Sequence, residues 1–142
     1  MRTMFILLVI ILSALTSGGC LAPASVTPVS PSLPNLTGTW TGPMEGYDED
    51  TGFTDYHDLS IAMVIEEQHG RLFSGHFLLS SNSTEWTIYF AGAIGRDNTT
   101  LTITERDGGY CLGEVVAPDE IELTYMQDGS PYSIAVDYLK RE

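Results

Sequence analysis

Positive charge is scarce in this chain. Its 142 residues hold 6 Lys and Arg against 19 Asp and Glu, a formal charge of −13. Binding a nucleic acid takes a basic patch or stripe that neutralises phosphates. Beyond Arg2 the only cations are Arg71, Arg96, Arg106, Lys140 and Arg141, which make no such stripe, so that class is excluded. Electrostatic docking on anionic lipid is excluded on the same ground. The cysteines, Cys20 and Cys111, are too few for a disulfide framework. No apolar run reaches the roughly twenty residues that carry a helix across a bilayer; the run from Met4 to Leu15 is about twelve. No stretch of ten or more residues keeps a helical apolar period, which predicts little helix. No Ser/His/Asp or Cys/His set falls on converging strands, and an enzyme needs such a constellation. The expectation is a protein without enzymatic activity and without a cofactor.

What is present begins with an export signal. Arg2, the short apolar run and the small residues Ser17 to Gly19 follow the order of charged, hydrophobic and cleavage regions. Residues 1–19 therefore read as a signal peptide, with an uncleaved anchor as the alternative. Ser17-Gly18-Gly19-Cys20 resembles the lipobox of prokaryotic lipoproteins, with Ser17 where that family usually carries Leu. The resemblance implies that Cys20 is lipidated and ties the protein to the outer side of the cell membrane, each buried CH₂ adding about 0.8 kcal/mol. Cys111 is then a lone thiol in a predicted strand, and it reads as a small buried hydrophobe. Without acylation, a Cys20–Cys111 disulfide stays open.

Residues 20–35 form a linker. Pro23, Pro28, Pro31 and Pro34 lie among Ser, Thr and Ala, a composition that buries too little apolar surface to fold and favours extended polyproline II. At about 3.1 Å per residue it would hold a domain about 40 Å from the membrane.

Residues 36–142 change texture to short alternating runs broken by Gly, Asn and Asp. Eight strands are predicted, near 36–43, 57–67, 70–79, 84–95, 99–106, 109–117, 119–127 and 131–140. Leu101 and Ile103 oppose Thr100, Thr102 and Thr104; Ile121, Leu123 and Tyr125 oppose Glu120, Glu122 and Thr124. In the last strand Tyr132, Ile134, Val136 and Tyr138 read as the inward set, against Ser133 and Asp137. An even number of short-turned antiparallel strands with one apolar face closes as an all-β, eight-stranded up-and-down barrel. The segment from Pro43 to Tyr56 reads differently, as a long acidic and aromatic loop over one barrel end.

Leu36-Thr37-Gly38-Thr39-Trp40 resembles the Gly-x-Trp opening of lipocalins and avidins, the calycin-type barrels, and Phe73-Ser74-Gly75-His76-Phe77 is similar to a strand of avidins. In those families a basic residue at the end of the last strand packs across the Trp. The resemblance implies a barrel-end cap of Trp40 with Lys140 and Arg141, a cation lying over an indole. The biotin chemistry of avidins is not implied, because Gly42, Gly46 and Phe77 stand where avidins place the ligand's hydrogen-bonding side chains.

An eight-stranded barrel can be solid or can hold one small ligand, and the sequence is equally compatible with both. The preferred expectation is a membrane-anchored envelope lipoprotein that binds a small apolar or amphipathic molecule. Phe77, Trp86 and Tyr125 would line the cavity, and Tyr47, Phe53 and Tyr56 would gate it. The alternative is a non-catalytic interaction or structural module with a solid core, such as a protease-inhibitor-like barrel. Outward Leu72, Leu78, Tyr89, Leu112 and Val116 could instead join copies of the chain into a homo-oligomer. Asp48, Asp50 and Asp55 are a weak candidate for a cation site; a solvated acidic loop is the simpler reading, and no metal is expected. Asn35, Asn82 and Asn98 open N-glycosylation sequons near strand ends. The barrel interior is expected to be almost uncharged.

Overall fold

The computed structural model describes residues 32–142. The predicted signal peptide, Cys20 and most of the linker lie outside the described residues. Ten strands follow in order: β1 (Gly38–Gly42), β2 (Met44–Asp48), β3 (Gly52–Thr54), β4 (Ser60–His69), β5 (Leu72–Ser81), β6 (Thr84–Ile94), β7 (Thr100–Glu105), β8 (Tyr110–Ala117), β9 (Glu120–Gln127) and β10 (Ser133–Arg141). No helix occurs among the described residues. Every pairing is antiparallel, and β10 returns to β1 through Trp40 opposite Arg141 and Thr41 opposite Lys140, closing an eight-stranded barrel.

The strands form where alternation is cleanest. On β7, Leu101 and Ile103 are buried while Thr100, Thr102 and Thr104 face solvent; on β9, Ile121 and Leu123 are buried against exposed Glu122. The turns use residues that accept left-handed backbone. Asn82 and Ser83, at φ 48 and 73, make the two-residue link from β5 to β6, and two positive values in such a link are the type I′ pattern whose twist matches the strands. Two bulges adjust the wall, at Glu66 in β4 and at Val116 in β8, each adding one unpaired residue to its strand.

The predicted loop 43–56 is mostly strand. β1 and β2 are one strand in space: four residues after Trp40, Met44 meets Asp137, four residues before Arg141, so the register against β10 runs straight through Pro43. Proline cannot donate to a ladder; here its carbonyl still accepts from the Tyr138 amide at 3.0 Å. The other edge of this long strand is shared. β4 pairs with its β1 half and ends with Gly42 opposite Ile61, while β3 folds back onto its β2 half.

The last strand carries the second correction. Ala135, Asp137 and Leu139 of β10 point into the barrel; Ile134, Tyr138 and Lys140 point out and are exposed. The expected inward set is therefore the outward one. Parity is set by the pairing of Trp40 with Arg141, and one residue of slip exchanges the two faces of a strand.

The core fills one half of the barrel. Trp40 is fully buried, with Leu36, Met63, Ile65, Phe73, Ile94, Leu101, Ile121 and Leu139 also buried. The Phe73 ring packs edge-on to Phe90 at 6.2 Å, in the space over Gly92, where a Cβ would lie 2.3 Å from the ring. At this end the indole Nε1 donates to the Leu36 carbonyl at 2.9 Å, and Gln68 accepts from the Leu36 amide and donates to the Pro34 carbonyl. The incoming chain is pinned across the barrel bottom.

Candidate functional site

The opposite half is hollow. A cavity of about 220 Å³ opens there, below the β2–β3 hairpin. Its wall is apolar over most of its surface: Met44 from the long first strand, Ile61 from β4, Phe77 and Leu79 from β5, Ile88 from β6 and Ala135 from β10. These positions follow from register, since Ile61 lies opposite Leu79 and Phe77 lies opposite both Met63 and Ile88. Phe77 also packs on Phe90 at 4.8 Å.

Polar groups break that wall in one sector. Glu105 at the end of β7, Cys111 on β8, Tyr125 on β9 and Asp137 on β10 all line the cavity, joined by Tyr56 from the segment after β3. Asp137 is only 2% exposed, and among the described residues its Oδ1 has no hydrogen-bond partner. Burial pushes its carboxyl up to about 7, with the Glu105 charge adding to the effect. Burial raises Glu105 to about 7 as well, opposed by the Cys111 thiol, which donates to its Oε1 at 3.7 Å. The same burial drives the Cys111 thiol far upward and Tyr125 to about 12. An interior expected to be nearly uncharged thus holds two carboxyl groups.

The residues singled out in the sequence divide between the two faces. Phe77 and Tyr125 line the cavity. Tyr56 lines it too, its hydroxyl donating to Asp48 Oδ2 at 2.6 Å and its ring lying over Gly46, where a Cβ would sit 2.9 Å from Cε2. Burial and then the Asp48 bond push the Tyr56 hydroxyl upward. Trp86 shares the inward face with Leu79 but stands at the rim, 47% exposed, and is not part of the cavity wall. Tyr47 and Phe53 pair with each other on the outer face, 52% and 68% exposed, with Ile134 opposite Tyr47. They do not gate the opening. The hairpin rim is instead fastened by Glu49, which accepts from Ser130 Oγ at 3.1 Å and from the Tyr132 amide.

At the closed end the Arg141 guanidinium lies 4.1 Å from the centroid of the Trp40 ring. Lys140 takes the other face of β10, where it pairs with Glu120 at 2.8 Å, so it has no part in that stack. The acidic candidates do not converge. Asp48 is engaged by Tyr56, Asp50 is exposed on the hairpin turn, and Asp55 pairs with His57 at 2.8 Å. Among the described residues no three His, Cys, Asp or Glu side chains could together hold a metal ion. Of the sequons, Asn82 stands on the exposed β5–β6 turn and Asn98 lies in the β6–β7 turn. Asn35 is exposed, and its Oδ1 accepts from Thr37. Leu72, Leu78, Tyr89, Leu112 and Val116 are all exposed on the outer wall.

The residues that sequence reasoning missed are Glu105, Asp137 and Cys111 as cavity groups. The signal is present for Glu105, which continues the inward phase of Leu101 and Ile103. For Asp137 it is masked by the wrong phase of β10.

No protein-family model matches the sequence, and no curated protein matches it. Among solved structures the chain is similar to a redesigned β-barrel, with a TM-score of 0.48 at 13% identity, over 75% of this chain and 91% of that one.

Proposed function

We propose that this protein is a lipid-anchored envelope lipoprotein, held on the extracytoplasmic face of the cell membrane, whose barrel binds one small apolar or amphipathic molecule. The observation that carries the binding half is the cavity of about 220 Å³ walled by Phe77, Leu79, Ile88 and Ala135. Ligand sites are concave, largely apolar and fitted with a few placed polar groups. This one joins an apolar wall to a short polar sector. An apolar cavity of about 150 Å³ is enough to take up benzene, so a ring with a short arm is the right size here. The anchoring half rests on the order of residues 1–20 and the cysteine that ends it.

Native mass spectrometry of the protein purified from its own host's envelope tests the binding. A stoichiometric small-molecule adduct is expected, lost when Ala135→Leu or Phe77→Trp fills the cavity. A bare mass in every preparation, with no solvatochromic dye bound by a fully folded protein, would turn the reading toward a solid interaction module. Cys20→Ala tests the anchor, by release of the protein from the membrane fraction.

A further inference from the structure

The cavity's polar sector bears on the charge of the bound molecule, provided that the barrel has the binding role proposed for it. Its two carboxyl groups, on Asp137 and Glu105, come from strands that are not neighbours, and none of the residues lining the cavity is basic. Asp137 is buried at 2% exposure with an oxygen that no described residue hydrogen-bonds. A buried carboxyl in that condition ordinarily has a cation or a donor beside it. No Lys or Arg among the described residues lines the cavity to supply that cation. Arg141 lies over Trp40 at the closed end, Lys140 pairs with Glu120, Arg106 pairs with Asp107 and stacks on Tyr89, and Arg71 donates to the Ile94 carbonyl. Arg96 is exposed in the β6–β7 turn.

We propose that the cavity takes a small organic cation, an ammonium ion carrying a ring or short chain, with its nitrogen received by Asp137 and Glu105 and its apolar body laid against Phe77, Leu79 and Ile88. The rings of Phe77, Tyr56 and Tyr125, which also line the cavity, suit a cation as well, since an aromatic face attracts positive charge most strongly where water is excluded. A carboxylate ligand would meet two acids and no counter-charge. The net charge of the whole chain, −13, raises the local concentration of cations and lowers that of anions.

The groups that face Asp137 around the cavity are Glu105 from β7, Cys111 from β8, Tyr125 from β9 and Tyr56, the last tied to Asp48. Of these only the two carboxyls titrate near neutrality; the thiol and both phenols are driven upward by burial and stay protonated. An alkylammonium keeps its proton well above pH 8, as lysine does. Its binding therefore strengthens as pH rises from about 6 to about 8 and the carboxyls ionise.

Titration calorimetry of the full chain with three probes of matched shape, 2-phenylethylammonium, 2-phenylethanol and phenylacetate, separates the possibilities. The expected result is that the ammonium binds at least about tenfold more tightly than the alcohol at pH 8, that this advantage shrinks toward pH 6, and that phenylacetate does not bind. Asp137→Asn and Glu105→Gln should each cut the ammonium's advantage severalfold, and a melt of each variant shows whether it is folded. The wild-type comparison needs no variant. Equal affinity for ammonium and alcohol would overturn the cation inference and leave the apolar-ligand reading standing. Binding of none of the three, in a protein that also carries no adduct and takes up no dye, would overturn both.

Discussion

The guanidinium of Arg141 and the indole of Trp40 face each other from opposite sides of the seam that closes the barrel, 4.1 Å apart and directly paired in register. The same guanidinium donates to the Thr37 carbonyl at 2.6 Å and to the Asn35 carbonyl at 2.5 Å. One side chain thus joins the last strand, the first strand and the segment that leads into it.

Arg141→Ala should therefore cost about 2–4 kcal/mol, combining a partly desolvated cation–π contact with two charge-assisted hydrogen bonds. Urea unfolding followed by Trp40 fluorescence in a Trp86→Phe background measures it. Lys140→Ala, one residue away but on the exposed face with Glu120, should leave the midpoint unchanged. Equal losses from the two substitutions would mean that the stack contributes nothing.

Asp137 makes stability depend on pH in an unusual direction. Its carboxyl is raised from 3.8 to about 7, so between those limits the folded state binds more protons than the unfolded one, and stability falls as pH rises. Below about pH 4 both states are protonated and no ionisation penalty is present; above about pH 7 the full penalty is present, on the order of 4 kcal/mol. Glu105, raised the same way but less buried, adds to the slope. Thermal melts across pH 4 to 8 should show the declining limb in the wild type and a flatter one in Asp137→Asn. An unchanged slope in the variant would place the titrating group elsewhere.

Ser83 sits at φ 73 in the turn after Asn82, a region that costs a residue with a side chain roughly 1–2 kcal/mol. Ser83→Gly gives the Asn-Gly pair that type I′ turns favour. Part of the relief is offset by the greater freedom of glycine in the unfolded chain, so a gain of about 0.5–1 kcal/mol is expected in chemical denaturation. A loss would mean that the Ser83 side chain stabilises the turn in some other way.

The barrel is legible in the sequence because its walls alternate without ambiguity where both faces are under constraint. Leu101 and Ile103 cannot exchange places with their threonines, and Trp40 marks the closed end. The phase of β10 is not legible, for a physical reason. Its inward positions pass the cavity, where no facing side chain demands bulk, so a serine, an alanine and an aspartate are accepted there. Its outward positions carry Tyr138, whose hydroxyl reaches Glu45 at 3.0 Å, and Ile134 beside Tyr47. Hydrophobicity alone then points the wrong way. Pro43 misleads in a similar manner, since a residue that usually ends a strand here costs one ladder bond and leaves the register intact. The interior acids are hidden by the same error: with Asp137 assigned outward, nothing draws attention to Glu105.

The bonds from Arg141 to Asn35 and Thr37, and from the Glu142 amide to the Thr39 carbonyl, have a topological consequence. The described chain enters and leaves the barrel at one rim, with its two ends held together by side-chain and main-chain bonds, and the cavity opens at the other. In connectivity the domain is already nearly a ring. A short peptide joining Glu142 to Leu36 would complete that ring, and new ends cut at the Asn82-Ser83 turn would give a circular permutant with every strand neighbour preserved. A carrier joined directly before Leu36 or after Glu142 would hang from the sealed rim, leaving the mouth open to solution.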